Sequence, residues 1–429
     1  KTRWENSIDG SATPFKTLVS YKGRESNPEV NQQDPTSIWT GLWRDPRFPQ
    51  QFTPEPENHL TGTIFTANGE RVDQMKIGSE VAKNRFWRNT DIATLTGNQQ
   101  LALQPVGLLG HEWGSDKDNG FRPEGLIHLS NTKLFIPEKK IEGYSEINST
   151  DGSPRSIDGE EIASMTYYKQ TSSNARVFST GTVQWAWGLD GVHDRTDVSN
   201  GAGPDKNVQQ TTVNLLADMQ IYPLSLQSDL VASTASTDVT PPTVTINSFP
   251  ANAKFYKNSA VIVSGTANDI NGSVAGIELS YDNGVTWHPA NGNEIWSYKF
   301  YPKSVGMMTI KARAIDDSLN TGTSISIDIN IENSVSGWQE DDSQTHPIAI
   351  QQSYPINLGV EFKPAVNGKI YGIRYYKGYS NVGTHKAQLW NATSPTNLLA
   401  ESVFENESDR GWQTVSFTNP ISLTANSTY

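Results

Sequence analysis

The stretch Leu108 to Pro123, LLGHEWGSDKDNGFRP, carries dense ionisable chemistry: His111, Glu112, Asp116, Asp118 and Arg122 crowd around Trp113 between glycines. A passive turn needs one or two polar caps, so this composition reads as the wall of a site. Two other stretches are expected to converge on it. Asn84 to Thr90 (NRFWRNT) brings Arg88, and Arg176 to Asp190 (RVFSTGTVQWAWGLD) sets Val183, Trp185 and Trp187 at alternate positions, the spacing of one strand face. His193, in GLDGVHD with Asp190 and Asp194, follows that strand and can line the same cleft as His111; a structural role is the simpler reading.

Known chemical motifs fit poorly. His111-Glu112 opens like the zinc-protease H-E-x-x-H, but Ser115 stands where the second histidine belongs, and the local glycines disfavour a helix. Asp116 to Gly120 (DKDNG) resembles half a calcium loop, yet the EF-hand order wants its glycine one place later and a distal glutamate. An Asx-rich turn is the simpler reading. No G-x-S-x-G elbow, P-loop or G-x-G-x-x-G is present, which leaves nucleophilic-serine and nucleotide chemistry without support. Arg88, Glu112, Asp118 and Arg122 keep two readings: an ion-pair and cap network around Trp87 and Trp113, or a substrate-cleft wall. His59, His128, His288, His346 and His385 read as surface or turn residues.

The elements that must hold these residues belong to a β-rich chain. At roughly 150 residues per domain, 429 residues make about three domains. The net charge of −12 comes without a basic cluster, so a nucleic-acid partner is not expected. No apolar run approaches the roughly 18 residues of a membrane span, and no signal peptide is visible. With no cysteine, packing alone must stabilise the domains.

Residues 1–232 read as an α/β-type, β-rich domain with surface loops at Asn27 to Pro35 and Asp45 to Glu57. One helix is predicted there: Asp205 caps it, Val208, Thr212, Leu215, Leu216 and Met219 share a face, and Pro223 ends it. Ala232 to Thr240, followed by Pro241-Pro242, reads as a linker. Residues 241–333 show alternating strands (VTI, VIVSGTA, GIELSYD, WSYKF, MTIKARAID, SISIDINI) with turns at Asp282 to Gly284 and Asp316 to Asn320, the pattern of an immunoglobulin-like sandwich. After an acidic linker, Glu332 to Pro347, residues 347–429 give strands at Leu358 to Phe362, Ile370 to Tyr376, Lys386 to Trp390, Leu399 to Phe404 and Gln413 to Phe417, a second and jelly-roll-like all-β sandwich. The strand-like start at Lys1 and the unclosed pattern at Tyr429 read as a fragment cut at both ends.

Four stretches in order, VAKNRFWRNT, LLGHEWGSDKDNGFRPEGLIHLS, VFSTGTVQWAWGLDGVHD and VQQTTVNLLADM, resemble the C-terminal part of the large (β) subunit-like domain of N,N-dimethylformamidase, from Lys1 to about Leu230. The resemblance implies an amidohydrolase whose iron is held by two tyrosines and a glutamate, with a histidine and an asparagine nearby. Hard phenolate and carboxylate oxygens suit an iron that polarises an amide carbonyl and activates water. In the family those ligands precede a segment like KTRWE, where this chain begins, so they are expected upstream of Lys1. The fragment is then expected to bind no iron and to be inactive alone. His111-Glu112 in GHEW lacks the one-residue spacing of the family's site motif, and Tyr167 and Tyr168 are not carried over as ligands. LGVEFKPAVNGKIYGIRYYKGYSNVGTHKAQLWNAT and GWQTVSFTNPISLTANSTY are similar to an uncharacterised β-sandwich family appended to secreted bacterial proteins.

The expectation is therefore a secreted, extracellular or cell-surface protein whose complete form acts on a small amide substrate. The alternative is a non-catalytic binder of a surface glycan through aromatic platforms such as Trp87, Trp113, Trp185, Tyr375, Tyr376 and Trp390.

Overall fold

The computed structural model describes residues 56–67, 71–136, 159–194, 203–333, 357–377, 381–392, 397–408 and 411–429, with the backbone alone of strands Thr2–Glu5 and Thr17–Ser20. The loop Asn27 to Pro35, nearly all of Asp45 to Glu57, most of the acidic linker, and His346 lie outside the described residues. The chain is β-rich with few helices, and it divides into two compact units, each described separately.

The first unit comprises Lys1–Asn247, Ser264–Tyr298 and Ile310–Ser326. Its main sheet is antiparallel: β1 (Ile127–Ile136) and β3 (Arg176–Ser179) flank β2 (Gly159–Lys169). Residues Ala163 to Tyr168 of β2 are all buried, so this strand is covered on both faces. Three short antiparallel pairs surround the sheet: Ile64–Ala67 with Trp113–Ser115, Val72–Asp73 with Leu109–Gly110, and Lys76–Gly78 with Gln100–Ala102. Trp87 and Trp113 are enclosed in the same apolar core as Ile127, Leu129, Met165 and Trp187.

The tryptophan strand predicted to run on from Arg176 does not form. β3 stops at Ser179, and Trp185–Gly188 is a 3-10 turn. The cause is local: Gly181 adopts φ +67°, a Cβ there would meet the Ser164 carbonyl oxygen at 2.1 Å, and Thr180 Oγ1 donates to the Thr182 carbonyl at 2.7 Å. Trp187 is consequently buried while Val183 is 63% exposed, the opposite of a shared face.

Helix α1 (Lys206–Asp218) begins as predicted, with the Asp205 carboxylate accepting from Asn207 N at 2.7 Å. Its buried stripe is more polar than the apolar spacing implies. Val208 and Leu215 enter the core, but Asn207, Gln210, Thr211, Asn214 and Asp218 are buried beside them. Its end precedes Pro223: Gln220 sits at φ 62°, Ile221 N donates to Leu216 O at 2.8 Å, and Gln220 N donates to Ala217 O at 2.9 Å, a Schellman closure.

Two further sheets contribute to this unit. One includes Thr243–Val244, β4 (Val261–Asn268), Asn291–Gly292 and β6 (Ile295–Phe300); the other pairs β5 (Val274–Ser280) antiparallel with β7 (Gly306–Asp316) and with His288–Pro289. These strands fall where the alternating sequence places them, and the β4 burial pattern is strictly two-periodic from Val261 to Val263 and from Gly265 to Asn268. The second unit comprises Ser248–Val263, Lys299–Thr309 and Ile327–Tyr429. In it Ala253–Tyr256, which the sequence reading missed, runs parallel to Ile325–Glu332 from the register Ala253 to Ile329 onward. Gly368–Lys377 pairs antiparallel with Gly411–Leu423, and Lys386–Trp390 with Leu398–Val403, over a small core of Leu389, Phe417 and Leu423. Leu358 to Phe362 forms no strand, although Phe362 and Tyr429 exchange backbone hydrogen bonds at 2.9 Å.

Candidate functional site

The residues singled out in the sequence separate into different networks. Arg88 lies just after the 3-10 turn Arg85–Trp87 and faces α1. Its guanidinium donates to Asp218 at 3.2 Å, to Asn214 O at 3.1 Å and to Thr234 O at 3.1 Å, and Arg85 binds the same Asp218 carboxylate at 2.6 Å. Asp218 is 5% exposed, so two guanidinium groups clamp one buried carboxylate. Through Thr234 they also fix the segment read as a linker, and Ser233 Oγ donates to Asn214 Oδ1 at 2.5 Å.

Arg122 belongs to a second network. Its Nε donates to Asp116 Oδ2 at 2.8 Å, its Nη1 to Glu278 Oε1 at 3.2 Å, and its Nη2 to Leu126 O at 2.9 Å. All three side chains are nearly sealed from water, with Arg122 3% exposed, and Arg313 closes the chain by binding Glu278 at 2.6 Å and Glu124 at 2.9 Å. Burial raises the Asp116 pKa, but Arg122 and the hydrogen bond from His128 outweigh it and hold the carboxyl down at about 2. Asp118 is separate again, its carboxylate 2.7 Å from His288 Nδ1, while Asn119 Oδ1 accepts from Phe121 N at 3.1 Å in an Asx turn. His128, His288 and His385 are thus more than turn residues: each meets a carboxylate at 2.7 to 2.8 Å.

His111 and Glu112 stand on the tight turn between Leu109–Gly110 and Trp113–Ser115. His111 holds a left-handed backbone, φ 49°, in which its N–H donates to Arg71 O at 2.8 Å and the next N–H, of Glu112, donates to Gly110 O at 2.6 Å. Such a conformation costs of order 1–3 kcal/mol in a non-glycine residue. Its Nδ1 is enclosed and has no hydrogen-bond partner among the described residues. His193 stacks on Trp187 with ring centroids 4.7 Å apart, and its Nδ1 lies 2.7 Å from Asp194 O. Arg88, Arg122, Asp118 and His193 share no hydrogen-bond partner among the described residues.

Sequence reasoning missed a different group. Asp238, Asp269 and Asp316 each offer a carboxylate oxygen, and these lie within 4.8 Å of one another. They come from the segment after α1, the end of β4 and the end of β7, spacings that match no known loop, so a linear reading has no signal for them. Among the described residues no helix is long and apolar enough to cross a membrane.

Comparisons with known proteins follow this geometry. No curated protein matches the chain. Among solved structures, the fibronectin(III)-like modules of Clostridium thermocellum CbhA are 19% identical over 22% of this chain and 100% of theirs, with a TM-score of 0.20. An endo-beta-1,4-mannanase from Thermotoga petrophila is 12% identical over 23% of this chain and 21% of its own, TM-score 0.19, and the SrpA adhesin of Streptococcus sanguinis is 19% identical over 28% and 71%, TM-score 0.18. Residues 342–429 match the family model described as a domain of unknown function (DUF4082). Residues 1–200, which hold three of the four stretches named above and the His111 turn, match the family model described as N,N-dimethylformamidase beta subunit-like, C-terminal.

Proposed function

We propose that this chain carries the supporting part of an amide-hydrolysing protein related to N,N-dimethylformamidase, acting outside the cell, with its β-sandwich modules serving as spacers or attachments. The observation that carries this reading is the family match over residues 1–200. The strained His111 turn supports it, because an energetically costly conformation with an unpartnered ring nitrogen is more use to a substrate or a neighbouring group than to packing.

The described residues do not fit the two-tyrosine, one-glutamate iron set that the resemblance implies. Tyr167 is 3% exposed and accepts from Arg176 at 3.2 Å, Tyr168 donates to Leu60 O at 2.8 Å, and the carboxylate triad contains no tyrosine. In this reading they brace a catalytic centre rather than form it. The test is hydrolysis of N,N-dimethylformamide and related small amides by the complete protein, with and without added iron. Turnover supports the reading, and its absence from folded, iron-supplemented protein overturns it.

A glycan-binding reading rests on the last module, where Tyr376, Trp390 and Trp412 are each 36 to 37% exposed. Trp87 and Trp113, at 0% and 2%, offer no ring face to a sugar. Retention on a glycan panel without amide turnover would favour this alternative.

A further inference from the structure

We infer that Asp238, Asp269 and Asp316 form a binding site for a divalent hard cation of the calcium class. Their carboxylate oxygens lie within 4.8 Å of one another, close enough to share one ion. Three like charges at that spacing repel, and among the described residues no lysine or arginine pairs with any of them: Asp316 accepts from Ser318 N, Asn320 N and Asn320 Nδ2, each at 2.8 Å, and Asp238 Oδ1 accepts from Thr240 N at 2.8 Å.

The second observation is independent of the clustering. Both oxygens of Asp269 and Oδ2 of Asp238 are cut off from solvent and have no hydrogen-bond partner among the described residues. A carboxylate that loses water and gains no donor is strongly unfavourable unless something charged replaces them. Gly272 leaves the space beside these atoms open: a Cβ at that position would sit 2.8 Å from Asp269 Oδ2 and 3.4 Å from Asp238 Oδ2. An all-oxygen donor set on three separate segments favours calcium, which accepts six to eight oxygens in flexible geometry, over magnesium, which demands a near-ideal octahedron.

The bound ion would clasp segments 31 and 47 residues apart, pinning the stretch after α1 to the ends of β4 and β7 inside the first unit. The test uses the 429-residue chain, stripped with a chelator and then titrated with calcium chloride while unfolding temperature and bound metal are followed. The proposal expects about one calcium per chain after desalting, a rise in unfolding temperature, and a weaker response to magnesium. Asp269→Asn should remove the calcium response while raising the unfolding temperature of the metal-free chain, since it relieves repulsion; this pairing of opposite effects separates a lost site from a damaged fold. Gly272→Ala should weaken binding with the carboxylates intact. An unshifted unfolding temperature at millimolar calcium, or an Asp269→Asn chain that responds as the parent does, overturns the proposal.

Discussion

Arg122 shows what a charged residue in a glycine-rich loop is held for. Its guanidinium meets Asp116 and Glu278, all at most 4% exposed, and satisfies a backbone carbonyl as well. Removing one partner from a buried pair strands the other charges, so Arg122→Met should destabilise the first unit by about 3–5 kcal/mol in urea unfolding. A change below about 1 kcal/mol would mean the pair is solvated. The type of this residue was legible in the sequence, since arginine among carboxylates predicts an ion pair. Its role was not, because Glu278 is 156 residues away and only the fold brings it there. The same holds for Arg88 and Asp218, 130 residues apart. His111 was picked out for its chemistry; histidine is enriched at left-handed positions, but that preference is too weak to place one from sequence alone.

At the scale of elements, only strong acid should release the loop that Asp116 anchors. Its pKa is lowered from 3.8 to about 2, so its contribution to stability is complete above 3.8 and is lost as pH falls through about 2. Acid unfolding followed between pH 4.5 and 1.5 should steepen in that window, and Asp116→Asn should abolish that component; an identical profile in the variant would remove Asp116 from the account. Helix α1 was legible at its start, where an aspartate precedes an apolar stripe, and misread at its end. Gln220 occupies the left-handed closing position that glycine fills without strain. Gln220→Gly should therefore raise stability by about 0.5–1 kcal/mol in thermal unfolding, and a loss would contradict the closure described. The strand misread around Trp185 failed for a related reason: alternation alone could not weigh the break at Gly181.

For the whole molecule, alternation located most strands between residues 243 and 332, because two-periodic burial leaves a pattern in any single chain. The segment after α1 reads as a linker, since small polar residues look alike whether solvated or pinned; Arg85 and Arg88 pin Thr234. The carboxylate triad was invisible for the same physical reason as the ion pairs, being assembled by contacts between distant segments. Residues 1–200 carry the functional reading through their family match. The most direct test is the rate of dimethylamine release from N,N-dimethylformamide by the full-length, iron-supplemented protein, alongside a His111→Gly variant whose unfolding temperature is not lowered. The account predicts turnover that falls in the variant; a folded, iron-supplemented protein that releases no dimethylamine would contradict it.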